Sequence, residues 1–269
     1  VPEEKTRVAV SWQDISVSDA TVFGNYTFVA AEEDGLVIYD ISNSEKPLNV
    51  SAIETSNARD VAVSEGYAYV ADSDRGVRVV DIDNPGRPEE VGSRKTSDAR
   101  SIELLRIDEE TIHALVADGT YGVKILDVSN PKDPQRIHSI GTKEANDLIV
   151  IEREDRSYAV VADGPGGVVI IDLDVTQPVV LSSFQTDNAS GLAIAGNLLY
   201  LADAATGLMI LDLEDPANPE LVSTYHVDGA VDVAVAEEYA YLASSAEGLM
   251  IFDVKSPSLP VFYDVAKIE

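Results

Sequence analysis

Eight aspartates recur at two fixed places along the chain. Asp19, Asp60, Asp147 and Asp232 each stand just ahead of a short apolar run, and Asp72, Asp118, Asp163 and Asp203 each follow an alanine that closes one. Carboxylates gathered in this way supply the hard oxygen ligands that Ca²⁺ prefers. Asp60, Asp147 and Asp232 are the candidate metal ligands and Ca²⁺ the candidate ion, with no cofactor required by the sequence. Arg59 and Arg100 occupy one slot in successive copies of the pattern, the slot filled by Asn146 further on. Two guanidinium forks side by side can grip a carboxylate, or they can neutralise Asp60 and its neighbours. Aspartates beside short loops also cap turns by accepting backbone N–H groups. The ligand-binding set expected from sequence is therefore Asp19, Arg59, Asp60, Arg100, Asn146, Asp147 and Asp232, backed by a second ring of Asp72, Asp118, Asp163 and Asp203.

The elements that must position these residues are visible as a repeat. Gly35-Leu-Val-Ile-Tyr-Asp40 returns as Gly76 to Asp81, Gly122 to Asp127, Gly167 to Asp172, Gly207 to Asp212 and Gly248 to Asp253. Spacings of 40 to 46 residues between these glycines mark a repeat architecture. Within one copy, short β-branched and aromatic runs alternate with Gly, Pro, Asn and Asp clusters, the pattern of antiparallel strands and turns. No segment keeps a 3.6-residue period long enough for a helix. Each repeat thus reads as a four-stranded meander with strands a to d. One such sheet cannot bury both faces alone, so six copies predict an all-β fold, a six-bladed β-propeller of four-stranded antiparallel blades with its ring closed by the terminal strands.

A single domain over residues 1–269 is expected, with repeats at about 15–55, 57–96, 98–142, 145–186, 189–226 and 229–265 and a closing strand over 1–12. Either the N-terminal strand or the strand near Leu259 to Val265 completes the sixth blade. Pro47, Pro88, Pro134, Pro178, Pro219 and Pro260 mark the start of each strand d, an outer edge where a missing N–H is harmless. The aspartate ending each strand c, from Asp40 to Asp253, reads as an Asx-turn acceptor. In this scheme the d-to-a and b-to-c connections share one face, and the candidate ligand residues lie there. Strand c is near-uniform between copies while those loop residues vary, which points to the loops as the functional part.

Composition removes several classes of function. Formal net charge is −29, which repels nucleic acid and anionic lipid headgroups and suits a solvated acidic coat. There is no cysteine, hence no disulfide, thiolate metal site or cysteine nucleophile. No apolar run approaches the ~20 residues that span a bilayer. His113, His138 and His226 fall in unrelated repeat positions and form no zinc set. Neither a Gly-x-Ser-x-Gly elbow nor a Walker loop is present. Gly164-Pro-Gly-Gly167 lies between two strands and reads as a turn. Most aromatic residues repeat in strand b as packing groups; Tyr121 is a loop candidate for ligand stacking, and Trp12 is expected to pack the terminal closure.

The strand c sequences Gly-Leu-Val-Ile-Tyr-Asp40 and Gly-Val-Val-Ile-Ile-Asp172 resemble the LVIVD-repeat family over almost the whole chain. The resemblance implies a β-propeller module of the sort found in bacterial and archaeal proteins, many of them at the cell surface, and it supplies no catalytic motif. The expected function is a non-catalytic binding or interaction module, exported or surface-associated and monomeric. Its partner would be a protein, glycan or small ligand, with neither nucleic acid nor membrane insertion involved. Because the chain starts at Val1 instead of Met, an upstream segment is expected to have been removed. Two alternatives stand beside this reading: a hydrolase or lyase acting on a polysaccharide or small organic acid through axial carboxylates, and a structural repeat in a surface assembly.

Overall fold

A computed structural model describes residues 16–153, 156–174 and 176–266. All of its regular elements are strands, and each of six sheets holds four antiparallel strands in simple sequence order. They are the blades of a six-bladed β-propeller. The described residues form two compact units, one running up to Asp118 and including Lys124–Ile137, the other comprising Gly119–Val123 and the residues from His138 onward.

The first unit carries β1 (Asp19–Phe23), β2 (Tyr26–Ala30), β3 (Leu36–Asp40) and β4 (Leu48–Ile53) as blade 1. Blade 2 is β5 (Asp60–Ser64), β6 (Tyr67–Ala71), β7 (Val77–Asp81) and β8 (Glu89–Arg94). Blade 3 is β9 (Ser101–Arg106), β10 (Ile112–Ala117), β11 (Val123–Asp127) and β12 (Gln135–Ile140), whose last residues fall to the second unit. That unit adds blade 4, β13 (Asp147–Arg153), β14 (Arg156–Ala162), β15 (Val168–Asp172) and β16 (Val179–Phe184). Blade 5 is β17 (Ala189–Ala195), β18 (Leu198–Asp203), β19 (Gly207–Asp212) and β20 (Glu220–His226). Blade 6 is β21 (Ala230–Ala236), β22 (Tyr239–Ser244), β23 (Gly248–Asp253) and β24 (Val261–Ala266). The C-terminal strand β24 pairs with β23 and so completes blade 6. The closing strand expected over residues 1–12, with Trp12, lies outside the described residues.

Strands b and c of blades 1 to 5 are largely buried, and within each unit successive blades pack on one another. In the first unit, Phe28, Leu36 and Ile38 of blade 1 meet Val61, Val70 and Val80 of blade 2. Tyr69, Val77 and Val79 meet Ile102, Val116 and Leu126 of blade 3. In the second unit Val160, Val168 and Ile170 pack on Leu199, Leu201 and Leu211. Tyr200, Leu208 and Ile210 pack on Leu242, Met250 and Phe252. At about 1.5–3 kcal/mol for each fully buried side chain of this size, these joints dominate the favourable side of folding. That explains the uniformity of the Gly-to-Asp segments.

The glycine opening each of those segments has a separate cause. Gly76 has φ of +84°, and a Cβ there would strike the backbone N of Thr96 and the carbonyl of Arg94. Strand d thus ends directly on this residue, leaving room only for a hydrogen. At the other end of strand c, Asp40, Asp127 and Asp212 accept the N–H two residues on, at 2.8, 3.0 and 2.8 Å, as Asx-turns. The six prolines each immediately precede a strand d. Strand d is further tied to the next blade: the hydroxyls of Ser51, Ser182 and Ser223 donate to the carbonyls of Pro85, Pro216 and Pro257 at 2.5, 2.6 and 2.6 Å.

Candidate functional site

The loop after strand b of one blade forms an isolated β-bridge with the entry loop of the next. Glu32 pairs with Ala58, Ser73 with Ala99, Gly119 with Ala145 and Gly164 with Ala189. Each of those four alanines is fully buried. The residue that follows it, Arg59, Arg100, Asn146 or Ser190, is thereby set beside the loop of the preceding blade.

One residue further on, two of the entry aspartates, Asp60 and Asp147, bind backbone on both sides of a blade joint. Asp60 accepts the N–H of Val61 through Oδ1 at 2.6 Å and that of Ile102, in blade 3, through Oδ2 at 2.7 Å. Asp19 accepts from Val61 at 3.4 Å. In the second unit Asp147 accepts from Leu148 at 2.8 Å and from Leu192 of blade 5 at 2.9 Å. Asp232 accepts from Val233 at 2.8 Å and is exposed. Ser101 and Gly191 fill the same slot in blades 3 and 5. A Cβ at Gly191 would run into Asp232, so the two residues share one space.

The second set of aspartates is buried deeper and anchors the entry loops. Asp72, Asp118 and Asp203 are fully buried and Asp163 is nearly so. Asp72 Oδ1 accepts from Ser56 at 2.8 Å and Asn57 at 2.6 Å, and Asp118 Oδ1 from Ser97 at 2.9 Å and Asp98 at 2.7 Å. Asp163 accepts from Lys143 at 2.9 Å and Glu144 at 2.7 Å. Asp203 accepts from Asn188, Ala205 and Thr206. Burial pushes the Asp203 carboxyl up, but these N–H groups and the neighbouring Thr186 hydroxyl outweigh it and hold it below the usual range. Among the described residues, no group of three or more His, Asp or Glu side chains is placed to hold a metal ion.

Cations absent from the sequence expectation join this layer. Arg78 lies 3.4 Å from Asp72 and also pairs with Glu90, while the buried Lys124 lies 3.6 Å from Asp118. Burial pushes the Lys124 ammonium down, and Asp118 pulls it partly back. Their signal is legible in retrospect: both replace the apolar third residue of a Gly-to-Asp segment, where the other copies have Val37, Val169, Met209 and Met250.

Arg59 and Arg100 differ in what they have left to offer. Both Nε and Nη2 of Arg100 reach Asp98 Oδ2, at 2.8 and 2.7 Å. Arg59 is exposed, and its Nε donates to the Ser73 hydroxyl at 2.9 Å, which in turn donates to the carbonyl of Asn57 at 3.2 Å. Among the described residues it has no carboxylate partner. Asn146 donates to the carbonyl of Ala189 at 2.9 Å. Glu103 of β9 is a further group that the sequence pattern passed over: burial pushes its carboxyl above the ordinary range, the Leu104 N–H opposes this, and the charge of Asp19 adds to it. Tyr121 is exposed. His226 is exposed and contacts the Thr206 carbonyl at 3.0 Å, far in sequence from His113 and His138.

Fold and site together define a repeat-built β-propeller whose recurring carboxylates serve as backbone acceptors and whose loop residues vary from blade to blade. The LVIVD repeat model matches residues 13–55, 56–96, 113–142, 145–186, 187–227 and 229–264, and the chain belongs to the LVIVD repeat family. A fold of this kind supports a binding or interaction module in general. Among solved structures, a protein from Lactobacillus plantarum aligns with a TM-score of 0.75 at 13% identity, covering 92% of this chain and 84% of that one. U3-55K aligns at 0.70 and 11% identity, with 93% and 81% covered. The computationally designed Ika8 protein aligns at 0.63 and 13%, with 93% and 74% covered. At these identities the likeness concerns the fold alone. No curated protein matches the sequence.

Proposed function

We propose that the protein is a non-catalytic binding module, exported or surface-associated, that engages an anionic partner through the d-to-a and b-to-c loops of blades 2 and 3. The observation that carries this reading is Arg59: an exposed guanidinium, steadied at Nε by Ser73 and without a carboxylate partner among the described residues, in a chain of net charge −29. An exposed arginine steadied at Nε, with no carboxylate taking up its terminal nitrogens, suits a carboxylate-bearing ligand. The distribution of basic residues supports the same place. Eight of the 19 Lys and Arg residues fall between Arg59 and Arg106, and none between Arg156 and Lys255. The entry aspartates then act as the frame that holds the loops, since their oxygens already accept backbone N–H groups.

A thermal-shift panel of citrate, polygalacturonate, galactose, dextran and Ca²⁺ tests this, because a ligand selective for the native state raises the midpoint. The reading expects stabilisation by the carboxylate compounds and its loss in Arg59→Ala. A panel in which only Ca²⁺ stabilises, equally in both proteins, would count against it.

A second reading, a hydrolase or lyase acting through a protonated carboxyl, is favoured by Glu103, whose carboxyl is raised by burial and by Asp19. Turnover of polygalacturonate by the native protein that disappears in Glu103→Gln would select it.

A further inference from the structure

Four threonines stand two residues beyond the ends of four successive strands d, at the same repeat position. The hydroxyls of Thr55, Thr96, Thr142 and Thr186 are all buried and have no hydrogen-bond partner in the protein. Native interiors rarely leave such groups unsatisfied, and four in register call for one explanation. In every case the one or two residues that follow donate backbone N–H groups to a buried aspartate: Asp72, Asp118, Asp163 and Asp203 in turn. At the second of these joints the acceptor side is also short of partners. Asp118 Oδ2 is buried without a hydrogen bond and has only Lys124 Nζ, 3.6 Å away. At the fourth, the Thr186 hydroxyl lies close enough to Asp203 to help hold its carboxyl down, without completing a hydrogen bond to it.

The fifth joint provides an internal comparison. Val227 stands where the threonines stand, and Ser244 replaces the aspartate. The Ser244 hydroxyl donates to the Asp228 carbonyl at 2.8 Å and accepts from Ala246 and Glu247 at 3.1 and 3.0 Å, which leaves it satisfied by protein alone. At these five joints threonine and aspartate are thus present together or absent together.

We propose that each of the four Thr–Asp joints binds one internal water molecule, hydrogen-bonded to the threonine hydroxyl and to the neighbouring carboxylate, and that the Val227–Ser244 joint binds none. A buried water typically makes about three hydrogen bonds to polar groups that would otherwise go unpaired, and a hydroxyl, a carboxylate oxygen and nearby loop backbone meet that need. The water extends the grip of each aspartate from the entry loop to the end of the preceding strand d. This inference is independent of what the module binds.

A crystal structure that resolves ordered solvent tests it. The expected result is a solvent peak within hydrogen-bonding distance of both Thr96 Oγ1 and Asp118 Oδ2, with counterparts at the other three joints and none beside Val227. Threonine hydroxyls bonded directly to the carboxylates, or joints without peaks, would overturn the proposal. In solution, Val227→Thr and Ser244→Asp should each lower the thermal midpoint, and the double variant should recover several degrees relative to the sum of the two. Additive losses would contradict a shared water.

Discussion

Asp60→Ala should destabilise the protein by about 2–4 kcal/mol without any ligand present. The carboxylate joins blades 2 and 3 by accepting Val61 N–H at 2.6 Å and Ile102 N–H at 2.7 Å. A hydrogen bond to a charged acceptor contributes roughly 1.5–3 kcal/mol, and a buried donor left unpaired costs a similar amount. Asp60 is only half-buried, so water repairs part of the loss and each bond belongs near the lower end of that range. Set against a total stability of roughly 5–15 kcal/mol, the loss is large. Urea unfolding followed by two independent probes gives the midpoint and slope, and the midpoint should fall with the slope unchanged. Asp60→Asn should lie between the variant and the native protein, since it keeps one acceptor but turns an NH₂ towards the other N–H. A change below about 0.5 kcal/mol in Asp60→Ala, the range of ordinary surface substitutions, would refute the clamp and return Asp60 to the pool of free ligand groups.

Two further outcomes follow from the same structure. Gly76→Ala should cost about 3 kcal/mol or more, because left-handed strain of roughly 1–2 kcal/mol adds to a collision with the backbone of Thr96 and Arg94. Gly24→Ala, at φ of +62° with nothing within 4 Å, should cost only the strain; equal losses in a denaturation series would contradict the packing argument. Glu103→Gln should stabilise the protein at pH 7.5 relative to pH 4, by differential scanning calorimetry at both values. The folded-state carboxyl is raised above its unfolded value near ~4.3, so its contribution is fully present below that value and lost as pH rises through the folded one. Glutamine has no proton to lose, and a midpoint difference independent of pH would show that Glu103 is not the buried acid described above.

The strands were legible in the sequence because each depends on local pattern: the Gly-to-Asp runs, the proline ahead of each strand d, and the Asx aspartates all act within a few residues of themselves. Equivalence of Asp60 and Asp147 was legible too, since it needs only the repeat. Their partners were not. Ile102 lies 42 residues from Asp60 in sequence, and only blade packing brings its N–H to the second carboxylate oxygen. The ring of carboxylates therefore reads from sequence as ligand-rich, while in the fold much of its hydrogen-bonding capacity goes to backbone. Glu103 was hidden for a different reason. It shares its slot with Thr21, Ala62, Ile149, Ala193 and Ala234, and as the one ionisable group there it was detectable only by comparing copies inside strand a, where packing rather than chemistry is expected. Arg78 and Lys124 are hidden on the same ground. Arg59 was found, but its exposed and unspent state depends on Ser73, a loop residue whose hydroxyl position no pattern specifies.

The most direct measurement is isothermal titration of citrate into the native protein and into the Arg59→Ala/Arg100→Ala variant, at low and at physiological salt. The account predicts saturable binding by the native protein, weakened by salt and abolished in the variant while its unfolding midpoint stays within a few degrees of the native one. Binding that survives both substitutions, or no binding at low salt, would contradict an anion-recognising face on blades 2 and 3.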